Sequence, residues 1–235
     1  MEINRYEISA GLKTPIRAAV VADLHSEPFG ALIEELKKIS PDVILCPGDT
    51  LHRASPDEKG LNFLREASKL FPTFCSIGNH EVKHDEDIRS YIRKSGAVLL
   101  DGEWTEFRGI TVGGLSTGYL AGKKQGRLKK TPPPDLKGLD GFFERESYKI
   151  LLSHHPEYYP RYLKDKNVDL IISGHAHGGQ WRLFGRGVFA PGQGFFPKYT
   201  SGLYDGKLLV SRGLSNRTAI PRIFNNPELI IIDLK

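Results

Sequence analysis

The stretch Ile16-Arg17-Ala18-Ala19-Val20-Val21-Ala22-Asp23-Leu24-His25 sets the reading of the whole chain. Its first part is apolar apart from Arg17 and has the length of a strand buried on both faces. It then runs, with no spacer, into a carboxylate and an imidazole. The same arrangement recurs downstream. Val43 to Cys46 leads to Gly48-Asp49, and Thr73 to Ile77 leads to Gly78-Asn79-His80-Glu81. Lys149 to Ser153 leads to His154-His155, and Val168 to Ile172 leads to Gly174-His175-Ala176-His177. In open α/β sheets, ligand sites form beyond the carboxyl ends of the strands. Polar clusters placed there can converge although they are scattered along the chain.

The segments between the early strands have helical spacing. Phe29, Leu32, Ile33, Leu36 and Ile39 share one face, as do Leu61, Leu64, Ala67 and Leu70 after a start signal at Ser55-Pro56-Asp57-Glu58. Ile88, Tyr91 and Ile92 predict a third helix. Strand and helix signals in alternation predict parallel pairing. Further on, Trp104 to Phe107 and Ile110 to Val112 flank Arg108-Gly109 as a hairpin. Leu203-Tyr204 and Lys207 to Val210 flank Asp205-Gly206 in the same way, and Leu229 to Leu234 reads as a final strand. Residues 121–141 are rich in Lys, Gly and Pro and read as a long surface loop within one domain spanning 1–235.

The composition narrows the class. With 235 residues, 39% hydrophobic and 26% charged, the chain can bury a core. A formal net charge of +5 is a mild bias. It suits anionic substrates but falls short of a nucleic-acid-binding signature. No apolar run approaches the roughly 18 residues of a membrane span, and the first residues lack an apolar signal core. Cys46 and Cys75 both sit in apolar strand-like runs and read as buried, reduced thiols, which points to a cytoplasmic setting.

Carboxylate, imidazole and amide oxygen suit Mn, Fe or Zn, with no thiolate involved. One bridging carboxylate and several histidines can hold two ions roughly 3.5–4 Å apart. The glycines at 48, 78 and 174 are expected to let the backbone turn so that the next side chain faces the metals.

Asp-x-His, Gly-Asp, Gly-Asn-His-Glu, His and Gly-His-x-His, in this order, resemble the calcineurin-like metallophosphoesterases. The segment His175-Ala176-His177-Gly178-Gly179-Gln180 is similar to the bacterial YkuE/YaeI-type phosphodiesterase branch, with Ala176 where Thr is usual. The resemblance extends to Pro191 to Tyr199 and to Val210 to Leu214. It implies a four-layer α-β-β-α sandwich of two mixed β-sheets flanked by helices. It also implies two divalent ions (Mn, Fe or Zn): Asp23, His25 and His177 would hold the first, Asn79, His154 and His175 the second, and Asp49 would bridge both. His155 reads as packing behind the ligands, although either His154 or His155 could serve. His80 would contact the phosphate and assist the leaving group, so His80, Asp49 and Asn79 are the catalytic candidates.

The implied reaction is attack of a metal-bridging hydroxide on a phosphoester, a diester in preference to a monoester, in a phosphorylated small molecule or lipid-linked substrate. Two alternatives stand beside it. One is a phospholipid or UDP-diacylglucosamine-type pyrophosphate hydrolase, and the other is a non-catalytic metal-binding interaction scaffold. Nucleic acid is disfavoured as a partner, and peripheral membrane contact is left open. Phe195, Phe196 and Tyr199 could form an apolar wall for a substrate or a plain core loop. Arg212 and Arg222 could bind a second phosphate, though pairing with acidic neighbours is the favoured reading. His52 and His84 read as surface-loop residues.

Overall fold

A computed structural model describes residues 1–52, 58–84, 87–118, 131–215 and 221–235. In chain order its strands begin with β1 (Glu2–Ile8), β2 (Ile16–Val20), β3 (Val43–Cys46), β4 (Thr73–Cys75), β5 (Val98–Leu99), β6 (Glu103–Phe107), β7 (Ile110–Gly114) and β8 (Tyr148–Leu152). They continue with β9 (Leu170–Ser173), β10 (Arg182–Leu183), β11 (Arg186–Gly187), β12 (Phe189–Ala190), β13 (Gly194–Phe195), β14 (Gly202–Tyr204), β15 (Leu208–Val210) and β16 (Glu228–Leu234). The α-helices are α1 (Gly30–Ile39), α2 (Glu58–Leu70), α3 (Ile88–Lys94) and the short α4 (Asp140–Phe143).

Two six-stranded sheets result, ordered β1-β16-β2-β3-β4-β5 and β14-β15-β9-β8-β7-β6. Both are mixed. β2 to β5 run parallel, β16 joins β2 antiparallel, and β1 joins β16 parallel. In the other sheet β7, β8, β9 and β15 are parallel, with β6 and β14 added antiparallel at the edges. β10–β11 and β12–β13 are separate two-stranded ribbons.

Residue parity along the strands shows how the layers stack. Ile16, Ala18 and Val20 of β2, Val43 and Leu45 of β3, and Ile230 and Ile232 of β16 join Ile150 and Leu152 of β8 and Leu170 and Ile172 of β9 in one buried cluster. This is the apolar layer between the sheets. The alternate residues Ala19, Ile44, Cys46 and Ile231 face outward under Leu32, Ile33 and Leu36 of α1 and Phe63 and Leu64 of α2. On the other sheet Leu151, Ile171, Leu208 and Val210 face Phe142, Tyr158, Tyr159 and Leu163. Here the cover is α4 and a π-helical turn, Tyr159–Leu163, rather than long helices. The order of layers is therefore helix, sheet, sheet, helix, as the resemblance implied. Strands buried on both faces lose the period-two alternation of a half-exposed sheet, which explains their continuous apolar runs.

Both hairpins form at their turn residues: Arg108 and Gly109, both with positive φ, make a two-residue turn of the primed type, while Asp205, Gly206 and Lys207 make a three-residue loop, since Tyr204 pairs with Leu208. Cys46 and Cys75 are buried, free and register partners on adjacent strands. Burial pushes the Cys46 thiol up to about 12. Three expectations are corrected. The third strand stops at Cys75 rather than Ile77. Leu70 and Tyr91, counted on apolar helix faces, are 43% and 44% exposed; Phe71, just past the end of α2, and Ile92 of α3 pack inward instead. The Ser55-Pro56-Asp57 start signal and residues 121–130 of the basic loop lie outside the described residues. Among the described residues no helix is long and apolar enough to cross a membrane.

Ile230 is fully buried between the sheets, paired with Val20. Ile230→Ala is expected to destabilise the fold by about 2–5 kcal/mol in a urea melt. Tyr91→Ala on the exposed helix face should stay within about 0.5 kcal/mol of wild type.

Candidate metal centre

The ladders of both sheets continue past the strand ends and fix the loops that follow. His25 N–H donates to Asp49 O at 3.0 Å, and Ser26 N–H to Thr50 O at 3.1 Å. In the second sheet Gly174 N–H donates to His154 O at 3.1 Å, and Ser211 N–H to Ser173 O at 2.8 Å. Asp23, His25, Asp49, His175 and His177 all have left-handed φ, between 46° and 65°. Each such non-glycine residue costs on the order of 1–3 kcal/mol, and such residues gather at functional sites.

The glycines before these residues work in two different ways. Gly48 has φ +99, so there the turn itself requires glycine. Gly78 and Gly174 have no positive φ; they are small because a carboxylate occupies the space. A Cβ on Gly174 would lie 2.6 Å from Asp23 Oδ2, and one on Gly78 would collide with the Asp49 carboxylate.

The five clusters converge. His25 Nε2 lies 3.3 Å from His177 Nε2, 3.7 Å from Asp49 Oδ2 and 4.0 Å from Asp23 Oδ1. His177 Nε2 is 3.8 Å from Asp23 Oδ1. His154 Nε2 is 3.2 Å from Asp49 Oδ2, and the His154 and His175 rings are 5.0 Å apart. Asp23, His25, Asp49, Asn79, His154, His175 and His177 are all buried. Asp23, His25 and His177 bring their ligand atoms within 4.8 Å of one another, as do Asp23, Asp49 and His154. Asn79 Oδ1 and His175 Nε2 are buried and have no hydrogen-bond partner, and His154 Nε2 has only its 3.2 Å contact with Asp49. A buried polar atom left in this way is costly unless something else binds it. This donor set, all oxygen and imidazole nitrogen, fits hard or borderline divalent cations.

The electrostatics agree. Burial, against the pull of Asp49, pushes the His80 imidazole down to about 4. Burial likewise holds His25 and His175 well below their ordinary range, so these rings are free bases, the form that binds a metal. Burial pushes Asp49 up, but His154 and His80 outweigh it and hold the carboxyl well below the usual range. Burial pushes His154 down, and Asp49 overcomes this and raises it to about 9. Asp49 and His154 thus favour opposite charges on each other across their 3.2 Å contact.

His154 Nδ1 lies 3.1 Å from Pro47 O, and its Nε2 faces Asp49. The His155 Nε2 is 2.9 Å from Thr117 Oγ1, and its ring packs edge-on to His175 at 4.4 Å; His154, His155 and His175 also bring ligand atoms within 4.8 Å of one another. The His80 ring lies 4.4 Å from that of His25, and its Nε2 is 4.0 Å from Asp49 Oδ2. Its side chain is 18% exposed, so it stands at the mouth of the cluster.

Other sequence readings change. His52, read as a surface residue, turns its ring to 4.9 Å from His80 and 5.7 Å from His25. His84 is buried. Arg212 is held by Glu228 and, at 2.5 Å, by Glu2, so its pairing with acidic neighbours is observed. Arg222 instead reaches the centre, with Nη2 3.3 Å from His177 Nδ1 and 2.5 Å from Ser215 O. Phe195, Phe196 and Tyr199 do not share one wall. Tyr199 is buried against Tyr159 and Tyr204, while both phenylalanines are exposed.

Glu81 was not given a role from sequence, although it is the fourth residue of Gly-Asn-His-Glu. It is buried and accepts the N–H groups of Asp49 at 3.0 Å, Leu51 at 2.9 Å and Gly78 at 2.9 Å. It thereby clamps together the loops that carry Asp49 and Asn79. Burial, and then Asp49, push its carboxyl up to about 8. Asn225 does similar work on the last loop, donating to His177 O at 2.8 Å and Gln180 O at 3.0 Å. No spacing in the sequence pointed to it.

Comparison with known proteins gives the centre a family. Residues 16–179 match the model described as calcineurin-like phosphoesterase. The uncharacterized metallophosphoesterase Cj0846 of Campylobacter jejuni is 30% identical, over 95% of this chain and 60% of that protein. The present chain therefore spans less than two thirds of that relative. The uncharacterized metallophosphoesterase YkuE of Bacillus subtilis is 27% identical, over 89% of this chain and 73% of its own length. The phosphodiesterase YaeI of Escherichia coli is 25% identical, over 94% and 82%. The matched residues run from β2 to the Gly-His-Ala-His loop and include every cluster of the buried centre. The chain belongs to the calcineurin-like phosphoesterase family of metal-dependent phosphoester hydrolases.

Proposed function

We propose that residues 1–235 act as one metallophosphoesterase unit that hydrolyses phosphodiesters in preference to monoesters, with two divalent ions at the buried centre. The observation that carries this reading is a pair of partnerless buried atoms, Asn79 Oδ1 and His175 Nε2, beside His154 Nε2 and its contact with Asp49. These atoms would hold one ion, Asp23, His25 and His177 would hold the other, and Asp49 would bridge them. Bound there, such ions supply Lewis acidity and a hydroxide nucleophile near neutral pH.

The remaining work falls to the chain's own groups. Asn79 and His80, side by side on the loop after β4, offset charge on the phosphoryl oxygens. His80, at the mouth, hydrogen-bonds the phosphate and hands a proton to the leaving oxygen; a bound phosphate anion favours its protonated form. The Nδ1 contact of His154 with Pro47 O fixes that ring, as outer hydrogen bonds do for metal-ligating histidines. Arg222 places a cation beside His177. The substrate is a phosphorylated small molecule, with a lipid-linked ester as the variant that the exposed aromatic loops favour.

The test uses protein stripped of metal and reloaded with Mn²⁺, Zn²⁺ or Fe²⁺. Hydrolysis of bis-p-nitrophenyl phosphate is expected to return and to exceed that of p-nitrophenyl phosphate. Asp49→Ala should abolish it together with metal retention. His80→Ala should keep the metals and lower kcat about 10²–10⁴-fold. Metal retention without cleavage of any ester would instead favour an interaction scaffold. Glu81→Gln, which keeps the size of the clamp but sets an NH₂ group against N–H donors, should lower metal affinity about 10–100-fold in a chelator competition, with the melting curve still cooperative.

A further inference from the structure

Three exposed phenylalanines on the loops that follow His177 sit where physical chemistry disfavours them. Phe184, Phe196 and Phe224 are 104%, 83% and 83% exposed. Each also has left-handed φ, at 50°, 51° and 52° respectively. Glycine or asparagine is the ordinary choice at such turn tips, and a bulky side chain there is an outlier. A ring that packs on nothing and strains its own backbone does not serve the fold.

The three tips arise from one hydrogen-bonded block. Phe184 caps the β10–β11 ribbon, and Trp181 bridges to Ile223, next to Phe224. Val188 N–H donates to Trp181 O at 2.9 Å, and Phe196 N–H donates to Val188 O at 2.8 Å. Trp181, Leu183, Phe195 and Ile223 add exposed apolar surface, at 42%, 53%, 70% and 39%. An exposed patch of this kind marks an interaction surface.

Its charge indicates which partner. Arg186 and Lys198 are exposed among the tips, and no Asp or Glu occurs between Leu170 and Tyr204 or between Gly206 and Pro227. Separate aromatic tips interleaved with cations and free of acids match the headgroup zone of an anionic bilayer. The block is also tied to the centre: it starts at His177, and Asn225, next to Phe224, holds the His177 carbonyl at 2.8 Å.

We propose that Phe184, Phe196 and Phe224, with Arg186 and Lys198, dock the protein peripherally onto an anionic phospholipid surface and so present the metal centre to phosphoesters in the headgroup region. The substrate side of this inference rests on the phosphoesterase reading; the docking itself does not.

The experiment is flotation of the wild-type protein with vesicles of phosphatidylcholine containing 0% or about 30% phosphatidylglycerol, repeated with F184N/F224N. Wild type is expected to float with the anionic vesicles and to dissociate as salt is raised. The variant should bind at least tenfold more weakly, melt at the same or a higher temperature because the strain is relieved, and hydrolyse bis-p-nitrophenyl phosphate at the wild-type rate. The proposal is overturned if wild type fails to float, or if it floats equally with neutral vesicles. It is also overturned if the variant loses a concentration-dependent dimer instead of vesicle binding, or if its melting temperature falls, which would make the rings structural. Flotation needs no turnover, so a wild type that floats but cleaves no ester refutes the catalytic reading alone.

Discussion

The His175 amide donates to both carboxylate oxygens of Asp23 at 3.0 Å, joining a loop of one sheet to a loop of the other. The rest of the centre depends on that contact and on its counterpart at Asp49, whose Oδ1 accepts the His80 N–H at 2.8 Å while Oδ2 faces His154. Two buried carboxylates stand side by side in the apolar interior. Each is oriented by backbone donors and bordered by imidazoles, and together they form an environment in which a cation is required. A fold carries such a cost at a site of use rather than in its scaffold.

The sandwich makes the arrangement possible. The layer of Val, Ile and Leu between the sheets sets the strand ends at one rim, and parallel pairing puts the carboxyl ends of β2, β3, β4, β8 and β9 on that same rim. Left-handed residues directly after the strands then turn the side chains back over the sheet edges. Glu81 and Asn225 tie the loops from behind, so the ligands stand on a braced frame. His80, its side chain 18% exposed, lies at the solvent edge of the cluster, with the His52 ring 4.9 Å from its own.

Much of this was legible because the chemistry sits at strand ends. Asp23, Asp49, Asn79, His154 and His175 each follow an apolar run that could only be a buried strand, and their order resembles one family. Other features were hidden for identifiable reasons. β1 alternates exposed Ile3, Arg5 and Glu7 with partly buried Asn4, Tyr6 and Ile8 and sits at a sheet edge, so no apolar run announces it. That the strands divide into two sheets does not follow from their periodicity, since burial on both faces erases it. The place of His52 depends on which way one loop side chain turns, and the Arg212 pairing on partners up to 210 positions away. The exposure of Phe184 and Phe224 was unreadable, because an isolated Phe in a loop sequence looks like core.

Metal stoichiometry tests the central claim most directly. Protein loaded with excess Mn²⁺, freed of unbound ion by gel filtration and digested for elemental analysis should contain two ions per chain. Asn79→Ala, which removes an atom the fold leaves buried and partnerless, should contain one. A wild-type content of one ion or none, or an Asn79→Ala content equal to wild type, would contradict the two-metal centre described.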